Sequence, residues 1–385
     1  GAVRNALMGK PIADIDLATT ARPDTVIRLA EAAGLEAIPT GIEHGTVTVV
    51  ARHTAFEVTT LRRDVETDGR HARVTFSTDW ADDARRRDFT INALYCSADG
   101  TVHDPLGGWA DIVARRVRFI GSATERISED VLRILRFFRF TAEYVAGQPD
   151  PEGLAACEAL QCGIDGLSGE RLRAELMKLL LAPRSVDVTR IMARSGLLDR
   201  VAGHGADVDC MERLSLIEIA CGRRPSAILR LAALAAGSQA GALALSRRLK
   251  LSNAEASVIM RSALPAAGTH PATPDREARI AIYRHGREAF EEAVLLEWAR
   301  SGDGIHDDRW RDRYRLGERF PQPVLPVRGS DVLALGTTPG PEVGRIVRAF
   351  EDWWIANDFP ADPATNSAAL RAIVHAPSAA GRPLP

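Results

Sequence analysis

"IADIDLATT", residues 12–20, sets two acids one residue apart inside an apolar run. Ile12, Ile15 and Leu17 read as a buried strand, and successive strand side chains alternate faces. Asp14 and Asp16 would then share a face, roughly 6–7 Å apart along the strand, with Ile15 and Leu17 on the other. Two carboxylates that close repel, and burying them unpaired is costly. A divalent cation removes the conflict, and hard oxygen ligands suit Mg²⁺. "FEVTT" (56–60) offers a third acid, Glu57, on a later strand, with Phe56 and Val58 facing away. Three carboxylates on a sheet could hold two Mg²⁺ ions for an in-line phosphoryl displacement. By itself, however, D-x-D is also what an ordinary exposed strand displays.

Upstream lies "GAVRNALMG" (1–9). Small residues followed by Arg4 at a turn into a helix suit a triphosphate, because backbone N–H groups approach it and a guanidinium grips it. The plain alternative is a turn followed by an amphipathic helix.

Bulk properties narrow the field. The chain has 385 residues, 45% of them hydrophobic, ample for two to four domains. Net charge is −2 and pI about 6.6, so any nucleic-acid surface must be local. Cys96, Cys157, Cys162, Cys210 and Cys221 form no C-x-x-C pair, and a sparse, odd set favours reduced thiols and a cytoplasmic protein. No apolar stretch reaches the ~18 residues of a membrane span, and no secretory signal is visible. The chain opens at Gly1 without a starting Met, which leaves room for an upstream piece.

Residues 1–120 mix short strands with helices. Val26, Ile27, Leu29 and Ala30 precede Gly34 at helical spacing, and "TVTVVA" (46–51) and "AFEVTTL" (55–61) are β-branched as strands are. Residues 65–80 read as a mobile loop or a loosely held hairpin, and 103–112 as a turn-rich connector. From about residue 121 the pattern is helical. "SEDVLRILRFFRFTAEY" (128–144) reads as one helix with Ser128 as N-cap, and "GERLRAELMKLLL" (169–181) as another. Helices continue over 185–320. Residues 321–331 read as a linker, 340–359 as a last helix and the C-terminal end as disordered. The fold class is α+β, a small mixed-sheet head followed by an all-helical remainder.

"GAVRNALMG…DIDLATT", "FEVTTLR", "DGRH", "RRDFTINALY", "DPLGGWADI" and "SEDVLRILRFFRF" occur in one order at workable spacings. Together they resemble the bacterial class II CCA-adding tRNA nucleotidyltransferase and poly(A) polymerase family, strongly over about residues 1–180 and weakly beyond. The resemblance implies a polymerase-beta-like nucleotidyltransferase head (1–120), a helical neck with a base-selecting helix (121–183), a body (184–320) and a tail (321–385). Asp14 and Asp16 match the metal carboxylates, and Glu57 the third acid. Gly1 and Arg4 match the phosphate-binding turn, and Arg87, Asp88 and Asn92 match nucleotide and ribose contacts. The family's first motif usually reads G-G-x-V-R-D. Here Asn5 replaces the Asp, keeping a hydrogen-bonding oxygen but losing charge. The missing first Gly also puts part of the phosphate cradle and one sheet element in question.

Glu129, Asp130, Arg133, Arg136 and Arg139 read as one helix with a slowly drifting polar stripe. Largely buried arginines need anionic partners, and ordinary helix chemistry accounts for a lone E-D-x-x-R. Within the resemblance the motif looks like the one that selects the incoming base. A carboxylate accepts hydrogen bonds and a guanidinium donates them. Asp130 can take the exocyclic amino proton of cytosine or adenine while Arg133 donates to the ring nitrogen. Uracil and guanine would leave both contacts unmade, at a cost on the order of a few kcal/mol. Arg136 and Arg139 would face phosphates or brace the motif.

Other residues carry weaker signals. His44 reads as structural. Arg62 contacts RNA or steadies the Glu57 strand. Arg85, Arg86 and Arg87 form a basic run of the kind usually solvated. Arg171, Arg173 and Lys178 face solvent or a tRNA backbone, and Trp353 and Trp354 pack the tail. The expectation is template-independent addition of C and A to the tRNA 3′ end from CTP and ATP, with tRNA as partner, no membrane and no stable protein partner. Poly(A) polymerase, CC-only or A-only addition, and a catalytically silent RNA-binding protein remain as alternatives.

Overall fold

In the computed structural model, described over residues 1–68, 71–235, 238–264 and 266–376, helix α1 (Ala2–Leu7) opens the chain. Strand β1 (Leu17–Thr19), helix α2 (Pro23–Ala32) and strands β2 (Glu36–Gly41), β3 (Thr46–Ala51) and β4 (Thr54–Thr60) follow. They form a mixed sheet in the order β1-β4-β3-β2. β1 runs parallel to β4, with Leu17 beside Val58, and the other pairs are antiparallel. Val26 and Ala30 of α2 pack on Val47 and Val49 of β3, as the helical and β-branched spacings predict.

The opening stretch is shorter as a strand than its pattern suggests. β1 begins only at Leu17, so Asp14 and Asp16 precede it and strand alternation does not set their faces. Ile12, Ile15 and Leu17 are 48%, 45% and 45% exposed rather than buried. The reason is position. β1 is an edge strand paired on one side, and an apolar pattern there buries little.

The segment 65–80 is a hairpin in large part, from β5 (Arg62–Asp68) and β6 (His71–Phe76). Gly69 and Arg70 of "DGRH" lie outside the described residues. Helix α3 (Trp80–Arg85) leads through the "RRDFTIN" turn to the short pair β7 (Tyr95–Cys96) and β8 (Val102–His103). The presumed connector then holds helix α4 (Gly108–Val113), because both Asp104 carboxylate oxygens cap it, accepting from the Gly108 and Trp109 amides at 2.8 Å. Gly108 is required by close approach, since a Cβ there would stand 2.3 Å from the Thr90 carbonyl oxygen.

Beyond residue 121 the chain is helical, with one correction of consequence. The expected 128–144 helix is two: α5 (Ala123–Glu129) and α6 (Leu132–Tyr144). Ser122 caps α5 through the Glu125 amide, whereas Ser128 donates back to the Thr124 carbonyl inside it. Asp130 is extended at the break, and its carboxylate accepts from the Leu132 amide. An acid competing for backbone donors in this way favours a break over a helix interior. Helices α7 (Pro151–Ala159) and α8 (Gly169–Leu181) follow. Phe89 and Phe119 of the head meet Phe137 and Phe140 of α6, with ring centroids 5.2–6.4 Å apart. Each such fully buried ring contributes roughly 2–3 kcal/mol, which fixes the head on α6.

By contact the chain divides into two interleaved units, 1–208 with 226–259, and 209–225 with 260–385. The second has its own core of Val332, Ile346, Phe350, Trp354 and Leu370, with Trp353 packed against it. The 340–359 helix spans Pro341–Ala356 and is not the last, since Pro363–His375 follows it. Residues 377–385, most of the end read as disordered, lie outside the described residues. Among the described residues no helix is long and apolar enough to cross a membrane.

Candidate active site

Polar residues of the head converge on the "RRD" turn. Asp88 is buried, and both its oxygens are engaged. Oδ1 accepts from the Phe89 amide (3.0 Å) and Asn92 Nδ2 (2.9 Å), and Oδ2 accepts from Arg136 Nε (2.7 Å) and Nη2 (2.6 Å). Burial opposes the charged form, but Arg136, Asn92 and the Phe89 amide outweigh it and hold the carboxyl below its ordinary range. Asn92 in turn accepts from Arg4 Nη1 through its side chain and from Arg87 Nη1 through its carbonyl, the latter at 3.1 Å. Arg87 also pairs with the buried Asp83 at 3.1 Å and lies over the Tyr95 ring. Burial works against the Arg87 charge, yet Tyr95 and Asp83 raise its pKa above the ordinary value.

Arg4 is buried. It bonds to Asn5 and Asn92 and lies over the rings of Phe140 and Tyr144 at 5.1 and 4.3 Å. Desolvation, despite Tyr144, lowers its pKa. Gly1 adjoins Arg4, whose Nη2 would stand 3.7 Å from a Cβ placed at Gly1.

Asp14, Asp16 and Glu57 are exposed and make no ion pair or side-chain hydrogen bond among the described residues. Glu57 precedes Val58 on β4 as Asp16 precedes Leu17 on β1, so the two acids occupy matching positions at the start of the parallel pairing. Among the described residues no group of three His, Cys, Asp or Glu side chains is placed to hold a metal. The predicted three-acid cluster is therefore not assembled in this state. The donor set that remains, two unpartnered aspartates, fits Mg²⁺, which commonly takes one or two carboxylates and completes its shell with substrate phosphates and water.

Around the α5–α6 break, Arg133 Nη1 bonds to Glu129 (2.5 Å) and to the Arg126 carbonyl (2.7 Å), leaving Nε and Nη2 without a hydrogen bond among the described residues. Asp130 Oδ2 accepts from Arg171 of α8 at 2.7 Å. Arg126 is buried and reaches back to the Arg86 and Arg87 carbonyls. Arg136 and Arg139 both address the buried Glu175 of α8, so their hydrogen bonds brace the helix. The remaining candidates are mostly structural. Arg62 bonds to the His44 carbonyl, and Arg173 pairs with Glu255.

Residues 1–118 match the Poly A polymerase head domain, and 148–202 the probable RNA and SrmB-binding site of polymerase A. The mitochondrial CCA tRNA nucleotidyltransferase 1 of Danio rerio is 38% identical over 360 residues, 92% of this chain and 82% of the relative. The chain belongs to the CCA tRNA nucleotidyltransferase family. A CCA-adding enzyme of Geobacillus thermodenitrificans is 38% identical over 207 residues, 53% of this chain and 50% of its own length. Among solved structures, the Bacillus stearothermophilus CCA-adding enzyme in complex with CTP superposes with a TM-score of 0.69 at 27% identity, covering 93% of this chain and 88% of that one.

Within this nucleotidyltransferase, sequence reasoning passed over Asp83, Arg126, Arg171 as a partner of Asp130, and Glu175. Asp83 carried a signal, since it stands three and four residues before Arg86 and Arg87 and pairs with both. Arg171 and Glu175 carried none, because their partners Asp130 and Arg139 lie 41 and 36 residues away.

Proposed function

We propose that this protein adds C and A nucleotides to the 3′ end of tRNA from CTP and ATP without a nucleic-acid template, releasing pyrophosphate. Family membership supports the reaction class. The observation that carries the site is the contrast between Asp14 and Asp16, unpartnered and exposed, and the fully engaged buried acids around them.

Asp14 and Asp16 would hold Mg²⁺, and Glu57 lies at the matching position of the neighbouring strand without forming a three-acid group with them among the described residues. Bound there, Mg²⁺ supplies Lewis-acid charge for the attacking 3′-oxygen and the leaving phosphates. Arg87, backed by Asp83, presents fixed positive charge beside the turn, and Arg4 and Asn92 hold that turn in shape. Arg133 is anchored through one nitrogen, and its free N–H groups can donate to a ring nitrogen. Asp130, oriented by Arg171, can accept from an exocyclic amine. The preorganised donor and acceptor read C and A alike and disfavour U and G, whose carbonyl and N–H would mismatch both contacts. The helical remainder would read tRNA by shape and phosphate contacts. The free cysteines suit a reducing compartment such as the cytoplasm.

The test is extension of tRNA lacking its last three nucleotides, and of tRNA ending in CC, with each nucleotide alone and with CTP plus ATP. Arrest after CCA is expected, with silence when magnesium is omitted. A long adenylate tail would instead mark a poly(A) polymerase. Asp14→Ala should abolish incorporation while sparing tRNA binding, and undiminished incorporation would remove the metal assignment.

A further inference from the structure

Tyr144 ends α6, is buried, and takes no part in the chemistry above. Arg4 and Lys10 both lie against its ring, 4.3 and 4.6 Å from the centroid. Its hydroxyl donates to Asn5 Oδ1 at 3.1 Å, and Asn5 Nδ2 donates onward to the Pro11 carbonyl at 2.9 Å. Lys10 also reaches the Glu143 carbonyl at 2.7 Å and pairs with its carboxylate. Both ends of the stretch joining α1 to the aspartates, Asn5 at one and Lys10 with Pro11 at the other, are therefore fastened to the last two residues of α6. Roughly three turns earlier the same helix carries Arg133.

We infer that Tyr144 is a positioning residue. Through Asn5 and Lys10 it fixes the segment bearing Asp14 and Asp16 against the helix that presents Arg133, so that metal and base are held in one frame. The inference rests on the proposed function. It also gives a reason for Asn at position 5. That side chain must accept from Tyr144 and Arg4 while donating to Pro11, and an ionised Asp has no donor to give.

The test pairs Tyr144→Phe, which keeps the ring, with Asn5→Asp, which keeps the acceptor. Mn²⁺ binding in the presence of CTP is followed by electron paramagnetic resonance, beside kcat, KM for tRNA and thermal unfolding. Each single variant should weaken Mn²⁺ binding and lower kcat about tenfold, the low end for outer partners of a metal site. KM for tRNA should stay unchanged, and the double variant should be no worse than the weaker single, as for members of one chain of contacts. Wild-type Mn²⁺ binding and kcat in Tyr144→Phe, with only the unfolding temperature moved, would overturn the inference, as would additive losses in the double variant. Failure of the underlying function is read separately, by Asp14→Ala binding Mn²⁺ and incorporating nucleotide like the wild type.

Discussion

Replacing Asp88 by Asn removes one charge and almost no volume, so the cost can be worked from hydrogen-bond donors alone. All four groups facing the carboxylate are donors: the Phe89 amide and Asn92 Nδ2 on one oxygen, Arg136 Nε and Nη2 on the other. Whichever way the new amide turns, its NH₂ meets two of them. Breaking a buried ion pair from one side costs about 3–5 kcal/mol. Glu175 remains 3.5 Å from Arg136 Nη1 and takes up part of the freed charge, which favours the lower figure, about 3 kcal/mol. For a unit of this size that is a fall of about 6–12 °C in unfolding temperature at neutral pH. The pH dependence follows from the depressed carboxyl. Its stabilisation is complete above the unfolded pKa of about 3.9 and is lost as pH falls through the lower folded value. Circular-dichroism melts of wild type and Asp88→Asn should therefore differ by a constant amount from pH 7 to 5 and converge below about pH 4. Equal melting temperatures at pH 7, or a gap that persists undiminished into acid, would refute the assignment of Asp88 as a charged anchor.

Arg171→Gln should free Asp130 from its orienting partner and narrow the preference for CTP over UTP by about tenfold, measured as single-turnover incorporation ratios. An unchanged ratio would show that Asp130 needs no such support. In thiol labelling of the native protein, exposed Cys96 and Cys162 should react first. Cys157, buried with its thiol pushed up by desolvation, should react only on unfolding, and peptide mapping after a maleimide pulse would decide it.

What the sequence showed and hid follows from the range of the interactions. The strands 46–51 and 55–61 and the helix 169–181 were legible because their signals are local in spacing and composition. β1 was overread because an apolar pattern cannot distinguish an edge strand from a buried one. The continuous 128–144 helix was overread because Asp130 looks like a first-turn acid until its carboxylate is seen capping Leu132. For the site, Asp14, Asp16, Asp130 and Arg133 stood out as motif residues. Of the acids that hold the arginines in place, Asp88 was read as a nucleotide or ribose contact, and Asp83 and Glu175 were passed over. The pairings of Asp88 with Arg136 and Arg139 with Glu175 span 48 and 36 residues, and no local pattern encodes them.

A buried carboxylate persists in a fold only when donors surround it, and Asp83, Asp88, Asp111 and Glu175 each meet that condition through arginines. Each such pair fixes one end of an arginine and so shapes the turn or helix that carries it. Asp14, Asp16 and Glu57 escape the condition by lying in solvent, where repulsion between neighbouring carboxylates is screened and their lone pairs stay open to a hard cation. Had an arginine reached Asp14 or Asp16 as Arg136 reaches Asp88, the head would gain an ion pair and lose the donors a metal requires. That no lysine or arginine pairs with these acids among the described residues, in a head whose named buried acids are arginine-bound, is thus a property the chemistry demands, and introducing such a pair should inhibit metal binding without unfolding the sheet.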